Sequence, residues 1–259
     1  MAITHAYKHI DDIIINWSWG PGSAYPVNIN KVQKLINAFC GTDNEPGVLF
    51  TLNQDLFLEH KYYNFELPLL PGISRQEWWF KPNHPSFYRD WNHYVNLPHK
   101  ETIEKHRMLK ITGKLLYIKL HGSCNWMDAH GQKMVIGGKK IESMQQEPLL
   151  AWYLDIFQKV FTQFNRKLLV IGYSFGDDHI NEVLAKAVIN YRLKIYIIYP
   201  SSQREFGDQI LRKNWGKEIW EEGLEGYYPY RLSELFPSNQ SESTGWQIIQ
   251  DQFFERRIA

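Results

Sequence analysis

The chain has 259 residues, of which 44% are hydrophobic and 22% are charged, and its formal net charge is +1. A net charge so close to zero provides no strong electrostatic attraction to nucleic acid or to an anionic membrane surface, so neither is expected as a partner. Two cysteines, Cys40 and Cys124, exclude a disulfide framework and a zinc site made of four thiolates. The first residues lack the apolar core of a signal peptide, and no run is long enough to span a bilayer, so the expected location is the cytoplasm.

The first predicted unit of structure is a helix followed by a strand. Residues 31–39 carry apolar side chains at the spacing of one helical face, namely Val32, Leu35, Ile36 and Phe39. The short apolar run VLFT (48–51) then predicts a strand, which ends in the polar sequence TLNQD (51–55). A second helix is predicted to begin between Asp55 and His60.

The stretch 61–112 is rich in aromatic residues and histidine, and we predict a smaller helical insert there. Its four histidines are His84, His93, His99 and His106. None of their spacings matches the i, i+4 pattern of a helical zinc site, so no metal is expected.

The run LLYIK (115–119) predicts a second, buried strand, and it is followed by HGSCNW (121–126). An ionisable ring therefore stands where a hydrophobic run stops. One interpretation is a polar turn that keeps His121 in solvent. The other is a catalytic group at the edge of a ligand crevice.

A strand–helix–strand unit is predicted over residues 168–199. The strand LLVIG (168–172) ends in GYSFGDD (172–178), and Asp178 is the expected N-cap of the helix that follows. The next strand, KIYIIY (194–199), ends in PSS. This order implies two parallel strands with a right-handed crossover.

The fold class that follows is α/β, with a Rossmann-like parallel sheet and flanking helices. Continuous apolar strands are typical of sheets covered on both faces. All four strands end in polar or glycine-rich residues, and open parallel sheets bind ligands beyond the carboxyl ends of their strands. The four strand ends are therefore expected to share one crevice. Residues 237–259 are expected to form a polar tail and a short last helix.

Three of these segments, TLNQD, KLHGS and GYSFGDDHIN, together resemble the ordered motifs of the sirtuin-like family. The resemblance is strongest to its bacterial branch, which includes NAD-consuming anti-phage proteins. It implies that residues 1–259 form a single sirtuin-like domain that binds NAD at the strand ends. It also implies a homo-oligomer or a partner protein from a defence system.

The resemblance assigns roles to individual residues. His121 matches the family's catalytic base, and Asn53 matches the asparagine that orients the attacking water or ribose. A histidine, with an unperturbed pKa of about 6.5, suits a general base at neutral pH. The expected NAD-binding positions are Thr51, Asp55, Gly122, Ser123, Gly172, Tyr173, Ser174 and Phe175.

The chain also departs from the family pattern. Sirtuins that deacylate lysine usually carry a four-cysteine zinc ribbon, and Leu52 stands where the family usually has Gln. Both departures favour NAD hydrolysis, with NAD as substrate and no zinc, over lysine deacylation. No Gly-rich phosphate loop precedes TLNQD; the nearest candidate, WGPGSAY (19–25), reads better as a plain turn. The alternative function is therefore a catalytically silent module that binds NAD or ADP-ribose or serves in assembly.

Overall fold

A computed structural model describes residues 2–15, 27–61, 70–73, 94–128, 131–238 and 242–255. These residues fall into two compact units. Unit 1 lies within Met1–Ser23 and Val32–Ile156, and unit 2 lies within Ala24–Lys31 and Phe157–Ala259. No helix in the described ranges is long and apolar enough to cross a membrane.

The first part of the chain, up to the helix that ends at Phe161, contains six helices and five strands in its described residues. In chain order they are α1 (Ala2–Ile15), α2 (Ile29–Asn37), β1 (Gly47–Thr51), α3 (Phe57–Lys61), β2 (Val95–Asn96), α4 (Lys100–Met108), β3 (Leu115–Lys119), β4 (Gly122–Asp128), β5 (Gly131–Met134), α5 (Lys140–Gln146) and α6 (Pro148–Phe161).

Strands β1 and β3 form a parallel pair, in register from Gly47 opposite Leu115 to Thr51 opposite Lys119. Every residue of β3 is buried, the first four as their apolar sequence predicts and Lys119 in addition to them. Helix α2 covers this pair, because Ile36 and Leu115 belong to one hydrophobic cluster. The helical face and both strands predicted from the sequence are confirmed.

Strand β4 is the centre of a second, mixed sheet in the order β2-β4-β5. It runs parallel to β2 and antiparallel to β5. The pairing with β5 shifts register between Gly122 and Met127, so the ladder is irregular in this part of β4. The sequence predicted a turn after β3, and that turn is only Leu120 and His121 before β4 begins.

Unit 2 is built on a three-stranded parallel sheet, and its elements alternate between strand and helix. In chain order they are β6 (Lys167–Ile171), α7 (Asp178–Tyr191), β7 (Lys194–Ile198), α8 (Gln203–Leu211), a π-helix (Glu218–Glu222), β8 (Leu224–Tyr228), α9 (Leu232–Leu235), α10 (Thr244–Ile249) and a second π-helix (Gln250–Glu255). The sheet order is β6-β7-β8.

The predicted strand–helix–strand unit is confirmed as β6, α7 and β7, with β6 and β7 parallel in register. One detail was wrong: the N-cap of α7 is Asp177, not Asp178. Asp177 has an extended backbone, with φ −108° and ψ 94°, whereas Asp178 is already helical. The Asp178 carboxylate instead accepts a hydrogen bond from Trp215 Nε1 at 3.1 Å.

Strand β8 was not predicted from the sequence. Its short run LEGYY contains a central glycine, which weakens a strand pattern. The packing favours glycine at this position, because a Cβ on Gly226 would lie too close to the Tyr228 hydroxyl, at 2.8 Å.

The α/β class, with parallel strands and flanking helices, is confirmed. The strands predicted for one sheet are hydrogen-bonded in two separate groups, β1 with β3 and β6 with β7. The expectation of one crevice shared by all four strand ends, the single domain over 1–259 and the insert at 61–112 stay predictions. Much of that insert and the segment WGPGSAY (19–25) lie outside the described residues.

Candidate functional site

The ends of β1 and β3 bring the segment TLNQD next to the turn at His121. Thr51 lies opposite Lys119 in the last rung of the ladder, and Asn53 and His121 each follow that rung by two residues. Beyond the ladder, Leu120 N donates to Thr51 O at 3.0 Å. The two predicted catalytic residues of unit 1 therefore leave the same end of the same strand pair.

The backbone of His121 is held from two directions. Its carbonyl accepts hydrogen bonds from Gln54 Nε2 and from Val135 N, both at 2.9 Å. The next residue, Gly122, has a φ of 75°, in the left-handed region that favours glycine. The His121 side chain is buried, with 4% of the residue exposed. This histidine is a structurally fixed residue at a strand end.

Asn53 differs from His121 in its environment. Its backbone N–H donates to Thr51 Oγ1 at 3.0 Å, which closes a tight turn at the end of β1. Asn53 is exposed, so its amide is accessible to a ligand from solvent. An amide can donate and accept at once, which suits the orientation of a water molecule or a ribose hydroxyl.

Asp55 has a structural task in addition to its predicted role. Its Oδ1 accepts a hydrogen bond from Phe57 N at 2.9 Å and so satisfies a free donor at the start of α3. The Asp55 backbone carbonyl accepts a hydrogen bond from Lys119 Nζ. The loop between β1 and α3 is therefore tied to β3 by a side chain as well as by the ladder.

Lys119, the last residue of β3, is a buried charge two residues before His121. Its ammonium lies 2.8 Å from Glu59 Oε1, and the two side chains are 0% and 3% exposed. The pair lies beside Tyr117, whose pKa is raised well above its ordinary value by burial and then by the charges of Glu59 and Asp55. A buried charge needs a partner, and here the partner stands on α3.

Cys124 is unsuited to act as a nucleophile. Burial raises the pKa of its thiol to about 12; the Lys119 charge opposes that rise, and nearby carboxylates add to it. The thiolate, which is the reactive form, is therefore almost absent near neutral pH. Among the described residues, no group of three or more His, Cys, Asp or Glu side chains is arranged to hold a metal ion.

Two polar side chains of β4 that closely follow His121 in the sequence are buried. Ser123 Oγ and Asn125 Oδ1 have no hydrogen-bond partner within the part of the chain that the structure describes. Ser123 is 0% exposed and Asn125 is 6% exposed. Both lie in the part of β4 where the pairing with β5 is irregular.

The predicted NAD-binding loop of unit 2 follows β6. Gly172 has a φ of 65°, and a Cβ built on it would meet no atom within 4 Å, so the backbone is open to close approach by a ligand. Ser174 is exposed. Phe175 is 1% exposed and its ring packs against Tyr173, with 4.8 Å between centroids. The Phe175 side chain thus anchors the loop.

Asn181, on α7, holds this loop in place. It is 0% exposed. Its Nδ2 donates to Phe175 O and its Oδ1 accepts from the Tyr173 hydroxyl, both at 3.0 Å. The same hydroxyl accepts a hydrogen bond from Asp177 N at 3.1 Å.

The family model for the SIR2-like domain matches residues 47–219, which is more than half of the chain. The chain belongs to the SIR2-like domain family. All three motifs that carry the resemblance lie inside the matched range. No curated protein matches the chain. Membership in the SIR2-like family supports a sirtuin-like function related to NAD.

Sequence reasoning missed Gln54 and Lys119 in unit 1 and Asn181 in unit 2. All three lie inside the quoted motifs, but only Gln54 stands directly between residues that were assigned roles. A lysine at the end of a buried apolar strand is the one signal that could have pointed to a buried ion pair. The partners of Gln54 and Asn181 become visible only in the fold.

Proposed function

We propose that this SIR2-like chain hydrolyses NAD to nicotinamide and ADP-ribose. The observation that carries the proposal is the common position of Asn53 and His121, each two residues beyond the Thr51–Lys119 rung. An exposed amide and a histidine at one strand end are the groups that activation of a water molecule requires.

In the proposed reaction the C1′–N bond between ribose and nicotinamide breaks, and its electron pair leaves with nicotinamide as a neutral molecule. The oxygen of water forms the new bond to C1′, and the proton it loses passes to the His121 ring and then to solvent. Asn53 orients the water or a ribose hydroxyl through its amide. No acid is needed, because the nicotinamide nitrogen carries a positive charge in NAD and becomes neutral as the bond breaks.

The NAD-binding positions stay as the family resemblance assigns them. In unit 1 they are Thr51, Asp55, Gly122 and Ser123, and in unit 2 they are Gly172, Tyr173, Ser174 and Phe175. The open backbone at Gly172 and the buried Ser123 hydroxyl support two of these assignments. The resemblance further supports a role in bacterial anti-phage defence, as a homo-oligomer or with a defence-system partner, and we propose the cytoplasm as the location, as the sequence features suggest.

The test is nicotinamide release from NAD by the purified protein, followed by chromatography at several protein concentrations. We expect release by the wild type and a loss of at least about a hundredfold in His121→Ala and in Asn53→Ala. His99→Ala and Asn96→Ala serve as matched controls, because both residues are exposed and lie away from these strand ends in sequence. Equal release by all five proteins would show that the assigned pair is wrong.

A second candidate function is a catalytically silent module that binds NAD or ADP-ribose. It is favoured by the burial of His121, which is only 4% exposed. Calorimetric binding of ADP-ribose, without nicotinamide release by the wild type at any protein concentration, would establish the silent module and reject the hydrolase.

A further inference from the structure

We propose that Gln54 is the positioning residue for His121. Its side-chain amide clamps the backbone turn that carries the candidate base. No family motif assigns this residue a role, and its neighbours Asn53 and Asp55 are the ones that the resemblance singles out. The proposal deepens the hydrolase function and rests on it for the catalytic consequence.

The amide of Gln54 is 4% exposed and uses both of its ends. Its Nε2 donates one hydrogen bond to His121 O and one to Val135 O, both at 2.9 Å. Its Oε1 accepts a hydrogen bond from the Tyr7 hydroxyl at 3.0 Å. Two carbonyls at one end and a hydroxyl at the other leave only one orientation of the amide that satisfies all three partners.

The backbone of Gln54 adds a further tie to the same turn. Its carbonyl accepts a hydrogen bond from Cys124 N at 2.8 Å. Val135 N in turn donates to His121 O at 2.9 Å. One residue of the β1–α3 loop therefore binds the start of β4, the His121 carbonyl and the segment after β5.

These contacts act on position, because none of them touches the His121 ring. The turn is two residues long, and besides the clamp its backbone is held by hydrogen bonds from Leu120 N to Thr51 O at 3.0 Å and from Val135 N to His121 O at 2.9 Å. Gly122 follows it in the left-handed region, with φ 75°. Loss of the clamp would let the turn shift, and a displacement of about 1 Å at a catalytic group can lower the rate roughly a hundredfold.

The other end of the amide joins helix α1 to the site. Tyr7 is half-buried, and burial followed by the charge of Asp55 raises the pKa of its hydroxyl. The hydroxyl therefore remains a donor over the neutral pH range. It fixes the rotation of the Gln54 amide and points both N–H groups at the carbonyls.

Three substitutions separate the contributions of the Gln54 amide donors and of the Tyr7 hydroxyl to the position of His121. Gln54→Met removes every polar contact of the side chain. Gln54→Glu keeps the length and the acceptor for Tyr7 but replaces the two donors by an oxygen that faces two carbonyls. Tyr7→Phe leaves both donors in place and removes only the hydroxyl. Gln145→Met, Gln145→Glu and Tyr94→Phe are matched controls, since both residues are exposed in the same unit.

The first readout is the NMR spectrum of the histidine rings in full-length protein, with His121 assigned by its absence in His121→Ala. We expect the His121 ring resonances to move or broaden in Gln54→Met and Gln54→Glu, to change less in Tyr7→Phe and to stay in place in the controls. This readout requires no turnover. Its outcome is therefore independent of whether the chain hydrolyses NAD.

The second readout is the separation of kcat from KM for NAD. We expect kcat to fall about ten- to a hundredfold in both Gln54 variants, with a much smaller change in KM. His121 resonances that superimpose on the wild type in a folded Gln54→Glu protein would overturn the proposal. If Gln54→Met does not fold, the proposal is tested by comparing the His121 ring resonances of Gln54→Glu with those of Tyr7→Phe. Equal His121 shifts in those two variants would also overturn it.

Discussion

Lys119 and Glu59 form an ion pair with 2.8 Å between Nζ and Oε1, and almost nothing of either side chain is exposed. The two residues lie 60 positions apart, one on β3 and one on α3. The pair therefore couples the strand that precedes His121 to the helix that follows Asp55. It is a second tie, besides the contacts of Gln54, between the β1–α3 region and the strand before His121.

We expect Lys119→Met to lower the free energy of unfolding by about 3–5 kcal/mol, because it leaves the Glu59 charge buried without its partner. The double variant Lys119→Met/Glu59→Gln should recover much of that loss. Urea unfolding of the wild type, both single variants and the double variant measures the coupling. Lys194→Met is the control, since its pair with Glu225 is more than one third exposed and should contribute at most about 1 kcal/mol.

Gly122→Ala should disturb the turn at His121 through backbone strain. A φ of 75° costs an L-residue roughly 1–2 kcal/mol, and we expect a loss of stability of that size. The comparison is Gly138→Ala, where a Cβ would meet no atom within 4 Å and φ is not in the left-handed region. Equal melting temperatures for the two variants would contradict the strained turn.

Asn181→Ala should loosen the loop that follows β6. The substitution leaves the Phe175 carbonyl and the Tyr173 hydroxyl without the partner that now bonds both at 3.0 Å. We expect a loss of about 1–3 kcal/mol in stability and weaker binding of ADP-ribose. Thermal unfolding and calorimetry measure the two effects. Asn190→Ala, an exposed position on the same helix, should change neither.

The stability of the protein should fall in alkali. Burial raises the pKa of Tyr153 well above 10, so the folded state keeps a proton that the unfolded state loses. The stabilisation from that proton is complete below the unfolded pKa, about 10, and is lost as the pH rises above it.

Urea unfolding between pH 8 and pH 11 should therefore show a decline that is shallower in Tyr153→Phe. That variant also loses the hydrogen bond to Pro71 O at 2.8 Å, which lowers stability at every pH without changing the slope. Tyr94→Phe is the control for an exposed phenol. A slope that is identical in Tyr153→Phe and the wild type would show that Tyr153 is not protected from ionisation.

The sequence by itself determined the local elements and the place of the motifs. Unbroken apolar runs predicted β1, β3, β6 and β7, since strands buried on both faces tolerate few polar side chains. The 3.6-residue spacing predicted α2 and α7. Three motifs at strand ends indicated the SIR2-like family, and the family match covers all of them.

Only the tertiary structure decided which polar residues act on one another. The Gln54 amide reaches a carbonyl 67 positions away, and Lys119 finds its carboxylate 60 positions away. Periodicity reports which face of an element is buried, but it carries no information about the partner across such a distance. The N-cap of α7 and the glycine-centred strand β8 were likewise settled by backbone geometry and by neighbours in the sheet. The strand ends were therefore readable from the sequence, and the clamp on His121 was not.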